Sequence, residues 1–343
     1  MNSNSGIYSA RNFRYQVRMM CCSLMLLAPA SAFAADEPHV WLDRMADAVE
    51  SLNYQGTLVY MRPGKAETFQ VFHRVADGVA TERMVAMDGD GAEIIRTVDE
   101  VICIFPALQK VVVDKRSEKS GKQNPLRANL PEYSSSMDAY YQLGIQPSVR
   151  IVGRTALIVT IKPKDAFRYE HRIWLDEQTA MPLKTQLIGQ DDDMPVEELF
   201  FTTISLPDEV SAEHVLSDLD TEGYSWVRHG AHPHLHSEPA EKLAWVATNL
   251  PGGFMLTAAT LEYMEQSEDP RVHLVYSDGP ASVSVFVDVG VAASEQVEGL
   301  TSMGAANAYS VMVDGLLVTA MGEVPAQTVH QIATSMQLQG DNE

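Results

Sequence analysis

Between residues 56 and 205 the chain is written in short runs that alternate apolar and polar side chains, and this period of two limits its fold more than any other feature. Such alternation places successive side chains on opposite faces of a strand. The runs cover residues 56–62, 68–75, 81–87, 93–98, 101–105, 110–114, 148–152, 155–162, 167–176, 181–188 and 197–205. Asp77-Gly78 joins two of them and marks a hairpin, because that pair tolerates positive φ. Turn residues recur too often for βαβ units, so the pattern predicts an antiparallel meander. Roughly ten or eleven strands is more than an open sheet holds without curling. The concave face of a curled sheet is either filled by its own side chains or left to hold an apolar ligand. Periodicity alone does not choose between these.

Ahead of the strands, Trp41, Leu42, Met45, Val49 and Leu52 recur at three- and four-residue spacing, with Asp43, Arg44, Asp47 and Glu50 on the other side. This predicts an amphipathic helix, ended by residues 53–56. Residues 115–136 are rich in Lys, Ser, Gly, Gln, Asn and Pro and read as a long exposed loop. Residues 135–144 suggest a short helix carrying Met137, Tyr140, Tyr141 and Leu143. The fold class expected is α+β, mostly antiparallel β.

Composition shifts after residue 207. An acidic stretch and then a His- and Pro-rich one place an inter-domain linker at residues 208–239. A smaller α+β unit is expected at 240–343, after a first domain at 35–207. Its strand-like runs are residues 254–264, 271–276, 282–289, 308–313 and 316–321, with hairpin turns at Asp278-Gly279 and Asp314-Gly315. A last helix begins at Pro325 and presents Val329, Ile332, Ala333 and Met336.

Residues 1–34 read as a secretory signal peptide. Arg11, Arg14 and Arg18 precede an apolar stretch at 19–30, and Ala32-Phe33-Ala34 supplies small residues for cleavage. The apolar stretch is short for a membrane span. The expected location is the periplasm. The chain carries a net charge of −21, and loss of those three arginines makes it −24. That argues against nucleic acid and anionic membrane surfaces as general partners, and it suits a basic protein partner. Removal of the leader takes Cys21 and Cys22 and leaves Cys103 as the sole thiol, inside an apolar run where a buried, inert role is expected.

Signatures of catalysis are sparse. The chain has no Gly-x-Ser-x-Gly, no His-Glu-x-x-His, no phosphate-binding glycine loop and no Cys-x-x-Cys. His229, His232, His234 and His236 form the one conspicuous cluster. They read as a solvated linker, with metal binding or a pH-responsive hinge as the sharper alternatives. Asp191-Asp192-Asp193 could bind a cation, but a bare acidic run in a hairpin loop is more often solvated, because hard cations want several oxygens arranged around them. No cofactor and no metal are assigned, and the chain is expected to bind other molecules without catalysis.

Three stretches resemble a known family. These are Asn53-Tyr54-Gln55-Gly56-Thr57-Leu58-Val59-Tyr60, then Arg172-Ile173-Trp174-Leu175-Asp176, then Thr179-Ala180-Met181-Pro182-Leu183-Lys184. They are similar to the opening strand and central hairpin of the RseB/MucB family of envelope-stress regulators, and most of all to its MucB branch. The resemblance implies an N-terminal LolA/LolB-like half-open barrel with a helix across it. It implies binding, through the smaller domain, of the periplasmic part of a transmembrane anti-sigma factor of the RseA/MucA kind. It further implies protection of that partner from regulated proteolysis, release on binding lipid or lipopolysaccharide fragments, control of alginate production, and self-association into a homo-oligomer. On that reading Leu58, Tyr60, Phe69, Val71, Trp174 and Leu187 are candidate ligand-lining residues, although apolar residues in sheets are as a rule packing residues and ordinary core is the commoner role for each. Lys115, Arg116, Lys119, Lys122 and Arg127 form a local positive patch, either a gate that meets lipid phosphates or a solvated loop. The barrel alone suits a rival reading, a periplasmic lipid or lipoprotein carrier. An enzyme acting on envelope polysaccharide or lipid is a further rival.

Overall fold

The structure is a computed structural model that describes residues 37–115, 130–189, 194–229, 245–262, 271–288 and 298–338. The leader, the acidic turn at 191–193, and His232, His234 and His236 lie outside the described residues. Helix α1 (Pro38–Ser51) opens with proline in its first turn and buries Trp41, Leu42, Met45, Ala48 and Val49. Strand β1 (Tyr54–Arg62) follows after two residues, sooner than the sequence suggests. Asn53 makes this tight passage. Its Nδ2 donates to the Asp208 carbonyl at 2.9 Å, and its Oδ1 accepts from the Val75 amide at 2.8 Å. Tyr54 is therefore already strand, stacked on His73 with ring centroids 4.6 Å apart.

Ten strands follow: β2 (Lys65–Ala76), β3 (Val79–Ala86), β4 (Glu93–Arg96), β5 (Glu100–Phe105), β6 (Lys110–Lys115), β7 (Tyr141–Ile151), β8 (Arg154–Pro163), β9 (Glu170–Asp176), β10 (Pro182–Ile188) and β11 (Pro195–Ser205). With β12 (Ser225–His229) they make one twelve-stranded sheet in the order β12-β6-β5-β4-β3-β2-β1-β11-β10-β9-β8-β7. Every neighbouring pair is antiparallel except β12 on β6. β12 lies within the stretch expected to be linker. Residues 208–224 also pack back, burying Val210 and Val215 and placing Leu219 and Tyr224 against Ile95 and Val113. A second difference falls at 135–144. A single 3-10 turn (Ser135–Ala139) replaces the expected helix, and Tyr141 and Leu143 begin β7, where each pairs across to β8. Strand pairing with a long neighbour wins over the weak helical spacing there.

α1 lies on the concave face. Trp41, Leu42 and Met45 pack on Leu157, Val159, Ile161, Ile173 and Leu175, while Val49 joins Tyr54, Leu58, Val71 and Phe201. Each fully buried side chain of this size contributes about 2 kcal/mol. Gly56 sits beside the irregularity where β1 meets β11, and a Cβ there would lie 2.1 Å from the Thr203 carbonyl oxygen. Because that neighbour is backbone, Gly56→Ala is expected to cost about 1–3 kcal/mol. Urea unfolding measures this, and an unchanged midpoint would refute the packing argument.

The second sheet starts after a short strand, β13 (Trp245–Ala247). It comprises β14 (Met255–Glu262), β15 (Arg271–Ser277), β16 (Ser282–Asp288), β17 (Gly299–Met303), β18 (Ala306–Val313) and β19 (Leu316–Gly322), in the order β14-β15-β16-β19-β18-β17. Helix α2 (Ala326–Thr334) packs Val329, Ile332 and Ala333 on a core that includes Leu274, Val283, Val285 and Val318. Met336, expected in that helix, instead opens β20 (Met336–Leu338), which pairs with β13. No helix among the described residues is long and apolar enough to cross a membrane.

The two sheets meet at residues 165–169, which lead into β9. Arg168 is fully buried there, bonded to Asp278, Asp165 and the Gly252 carbonyl, with the rings of Tyr140, Tyr141 and Phe254 about it. Tyr141 also donates to Asp278 at 2.8 Å. Thr328 at the start of α2 donates to the Phe167 carbonyl at 2.7 Å, and Asn307 Nδ2 donates to the Tyr169 hydroxyl at 3.1 Å.

Candidate binding site

Alternation on β9, β10 and β11 turns His171 and Ile173, Thr185 and Leu187, and Glu197 and Leu199 inward. On β16 it sends Val283 and Val285 into the α2 core and leaves Ser282 and Ser284 facing the first sheet. Between these two surfaces lies a cavity of about 470 Å³. Gly279, Pro280, Ala306, Met321 and Glu323 complete its wall on one side, and Leu130 and Pro131 on the other. A second hollow, bounded by Leu58, Leu183, Leu199 and Phe201, holds only about 10 Å³, room for about one water. The concave face is thus filled under the helix and open toward the second sheet.

The cavity is polar as well as apolar. Glu197 is only 9% exposed. Burial holds its carboxyl above the usual range, against the opposing hydrogen bond from Tyr60. Burial also raises the Tyr60 phenol, helped by Glu197, so Tyr60 stays protonated and donates. Glu323 stands at the rim, raised by partial burial and then by the charge of Glu197. Burial pushes the His171 imidazole down to about 4, so it is neutral at ordinary pH.

The six candidate residues do not form one site. Leu187 lines the cavity and Tyr60 contacts its Glu197. Leu58 and Val71 are core, at 2% and 1% exposure, in a cluster with Tyr54, Met181 and Phe201. Phe69 is half-buried opposite Leu58. Trp174 lies on the other face of the sheet, with Lys184 Nζ 5.1 Å from its ring, because its register partner is Lys184 and its neighbours Ile173 and Leu175 point inward. Of the positive patch, Lys115 ends β6 and is exposed, while Arg116, Lys119, Lys122 and Arg127 lie outside the described residues. No cluster of His, Cys, Asp or Glu among the described residues is arranged to hold a metal ion. Cys103 is half-buried, and burial raises its thiol, which opposes thiolate chemistry. Sequence reading missed Glu197, Glu323 and His171. The available signal was Glu197, a charged residue in phase with Leu199 and Phe201 on an inward face.

Comparison with known proteins bears on both sheets. The MucB/RseB N-terminal domain matches residues 37–219, and the MucB/RseB C-terminal domain matches residues 239–337. The chain belongs to the MucB/RseB family. It is 28% identical to the sigma factor AlgU regulatory protein MucB of Pseudomonas aeruginosa, over 91% of this chain and 94% of that protein. It is 27% identical to the sigma-E factor regulatory protein RseB of Haemophilus influenzae, over 90% of this chain and 94% of that one. Among solved structures, the Pseudomonas aeruginosa MucA/MucB complex superposes with a TM-score of 0.67 at 25% identity, covering 88% of this chain and 99% of that one. MucB in complex with MucA(peri) gives 0.65 at 25% identity, covering 89% and 100%. These MucB/RseB relatives are named as regulators. The stretches that carry the family resemblance are built for folding here: Asn53 ties down the entry to β1, Gly56 allows close approach of β11, and Asp176 accepts from Arg154 Nε at 2.9 Å and from Thr179 Oγ1 at 2.7 Å to fix the β9–β10 turn.

Proposed function

We propose that this protein acts in the periplasm as a negative regulator of an envelope-stress sigma factor, by binding the periplasmic segment of a membrane anti-sigma factor of the MucA/RseA kind. The observation that carries this is the match along both sheets to MucB, a protein solved with MucA. Covering an otherwise extended segment is enough to hide it from a protease, so the work is binding and not catalysis. Lipid or lipopolysaccharide fragments release the partner by preferring the partner-free form, and that preference must be a difference in affinity. Regulated output includes alginate production, and the free protein self-associates. A pull-down from a membrane-plus-periplasm extract tests this reading. A single-span inner-membrane protein is expected, and added lipopolysaccharide is expected to displace it. Recovery of tightly held phospholipid with no protein partner would favour a carrier instead.

A further inference from the structure

We propose that the cavity between the two sheets receives the lysine or arginine side chain of an extended polypeptide, seated between Glu197 of the first sheet and Glu323 of the second. This rests on the binding function proposed above and names the chemistry of the partner at this site.

The cavity is built from both sides, and each side contributes one carboxylate. Among the described residues, no lysine or arginine lines it. The charge of Arg62 acts on Glu197, but Arg62 is already turned toward Glu67, 3.9 Å away, with its guanidinium 5.9 Å from the Tyr60 ring. His171 cannot supply the charge, since burial keeps it neutral. Two carboxylates therefore face one void, and Glu197 is 9% exposed with Tyr60 as its hydrogen-bond donor. A cation entering between them relieves their mutual repulsion and meets charge-assisted acceptors. An anion would meet like charge, which costs binding.

The rest of the wall fits the same ligand. Ile173, Leu187, Leu199 and Met321 offer apolar surface for the methylene stem of a basic side chain, which buries its stem while its head stays with polar groups. Ser282, Ser284 and Thr185 add acceptors around the head. The wider field agrees, because the chain as a whole carries −21 and draws basic segments toward it.

The experiment uses the full mature chain and two probes. The first is N-acetyl-arginine amide, with N-acetyl-norleucine amide as the uncharged control, titrated calorimetrically. Saturable binding of the arginine probe is expected, about tenfold tighter than the control, and Glu197→Gln is expected to abolish the difference. Equal binding of both probes would overturn the inference. The second probe is a set of overlapping peptides covering the periplasmic segment of the organism's own membrane anti-sigma factor. If none binds the wild-type chain, the proposed partner itself is wrong. If one binds and the Glu197→Gln/Glu323→Gln variant holds it equally well, only the present inference fails. The expected result is a loss of about tenfold or more. Glu323→Lys, at the exposed rim, is expected to weaken the same peptide, and exchanging the peptide's basic residue for glutamate is expected to restore it. Circular dichroism confirms that each variant folds.

Discussion

Replacing Arg168 with methionine is expected to cost about 3–5 kcal/mol and to split the unfolding of the two sheets into separate transitions. Arg168 is fully buried, and its guanidinium is bonded to Asp278, to Asp165 and to the Gly252 carbonyl. Methionine keeps much of the volume among Tyr140, Tyr141 and Phe254, so the cavity term is small. What remains is Asp278, 8% exposed, with its cation removed. Tyr141 and the Ala281 amide still donate to it, at 2.8 and 2.9 Å, but neither carries charge. The large effect thus comes from an uncompensated buried charge and not from the intrinsic worth of the ion pair. A second variant separates the two. Arg168→Met combined with Asp278→Asn removes both charges and is expected to recover part of the loss. Urea unfolding followed by tryptophan fluorescence reads the outcome, since Trp41 reports the first sheet and Trp245 the second. A single transition at the wild-type midpoint would show that Arg168 does not join them.

The same junction bears on binding. Asp278 begins the turn whose next residues, Gly279 and Pro280, line the cavity. Loosening Arg168 therefore frees one wall of the cavity from the other, although Arg168 itself lies outside it. A partner held by both walls then pays for ordering them, which weakens binding without altering any contact residue.

Much of this architecture is legible in the sequence because strand alternation is a local signal. Every run between residues 56 and 114 corresponds to a strand, and Asp77, with φ 51°, and Gly78 turn where the pair predicts. What is not legible depends on distant partners. β12 reads as part of a His- and Pro-rich linker, and only β6 beside it makes Ser225–His229 a strand. Tyr141 and Leu143 read as helix until β8 pairs with them. The apolar candidates for the site illustrate the same limit. Leu58, Val71 and Leu187 share an inward face, yet α1 and Phe201 cover the first two while the second sheet stands off from the third. Trp174 is a large apolar residue on an apolar strand, and only the register of β9 against β10 shows that it faces away. The cavity itself arises where two separately patterned sheets fail to touch, so no single window of sequence contains it.

A buried carboxyl and a half-buried imidazole pull the pH dependence of stability in opposite directions. Glu82 on β3 is 4% exposed. Its Oε1 accepts from Arg96 Nη1 at 3.2 Å, and its Oε2 meets no donor. Burial outweighs Arg96 and raises the carboxyl from 4.5 to about 7. The native state therefore holds a proton that the unfolded chain has lost, and stability falls as pH rises from about 4.5 through about 7. His171 does the reverse. Burial lowers it from 6.5 to about 4, so the unfolded chain binds the proton first and stability falls as pH drops from about 6.5 to about 4. Each shift amounts to about 3 kcal/mol, and over the shared range the two slopes nearly cancel. Glu197 and Glu323 are raised and add to the Glu82 direction, while His73 is lowered and adds to that of His171. The wild-type protein is accordingly expected to show a shallow profile between pH 4.5 and 6.5. Glu82→Gln removes one arm, so its profile tilts toward lower stability in acid. His171→Gln removes the other, and stability should then decline from acid toward neutral pH. Urea midpoints at constant m-value, taken across the range, measure the tilt. Three parallel curves would mean that neither group changes its proton affinity on folding, and that Glu82 and His171 are as hydrated in the native state as in the unfolded one.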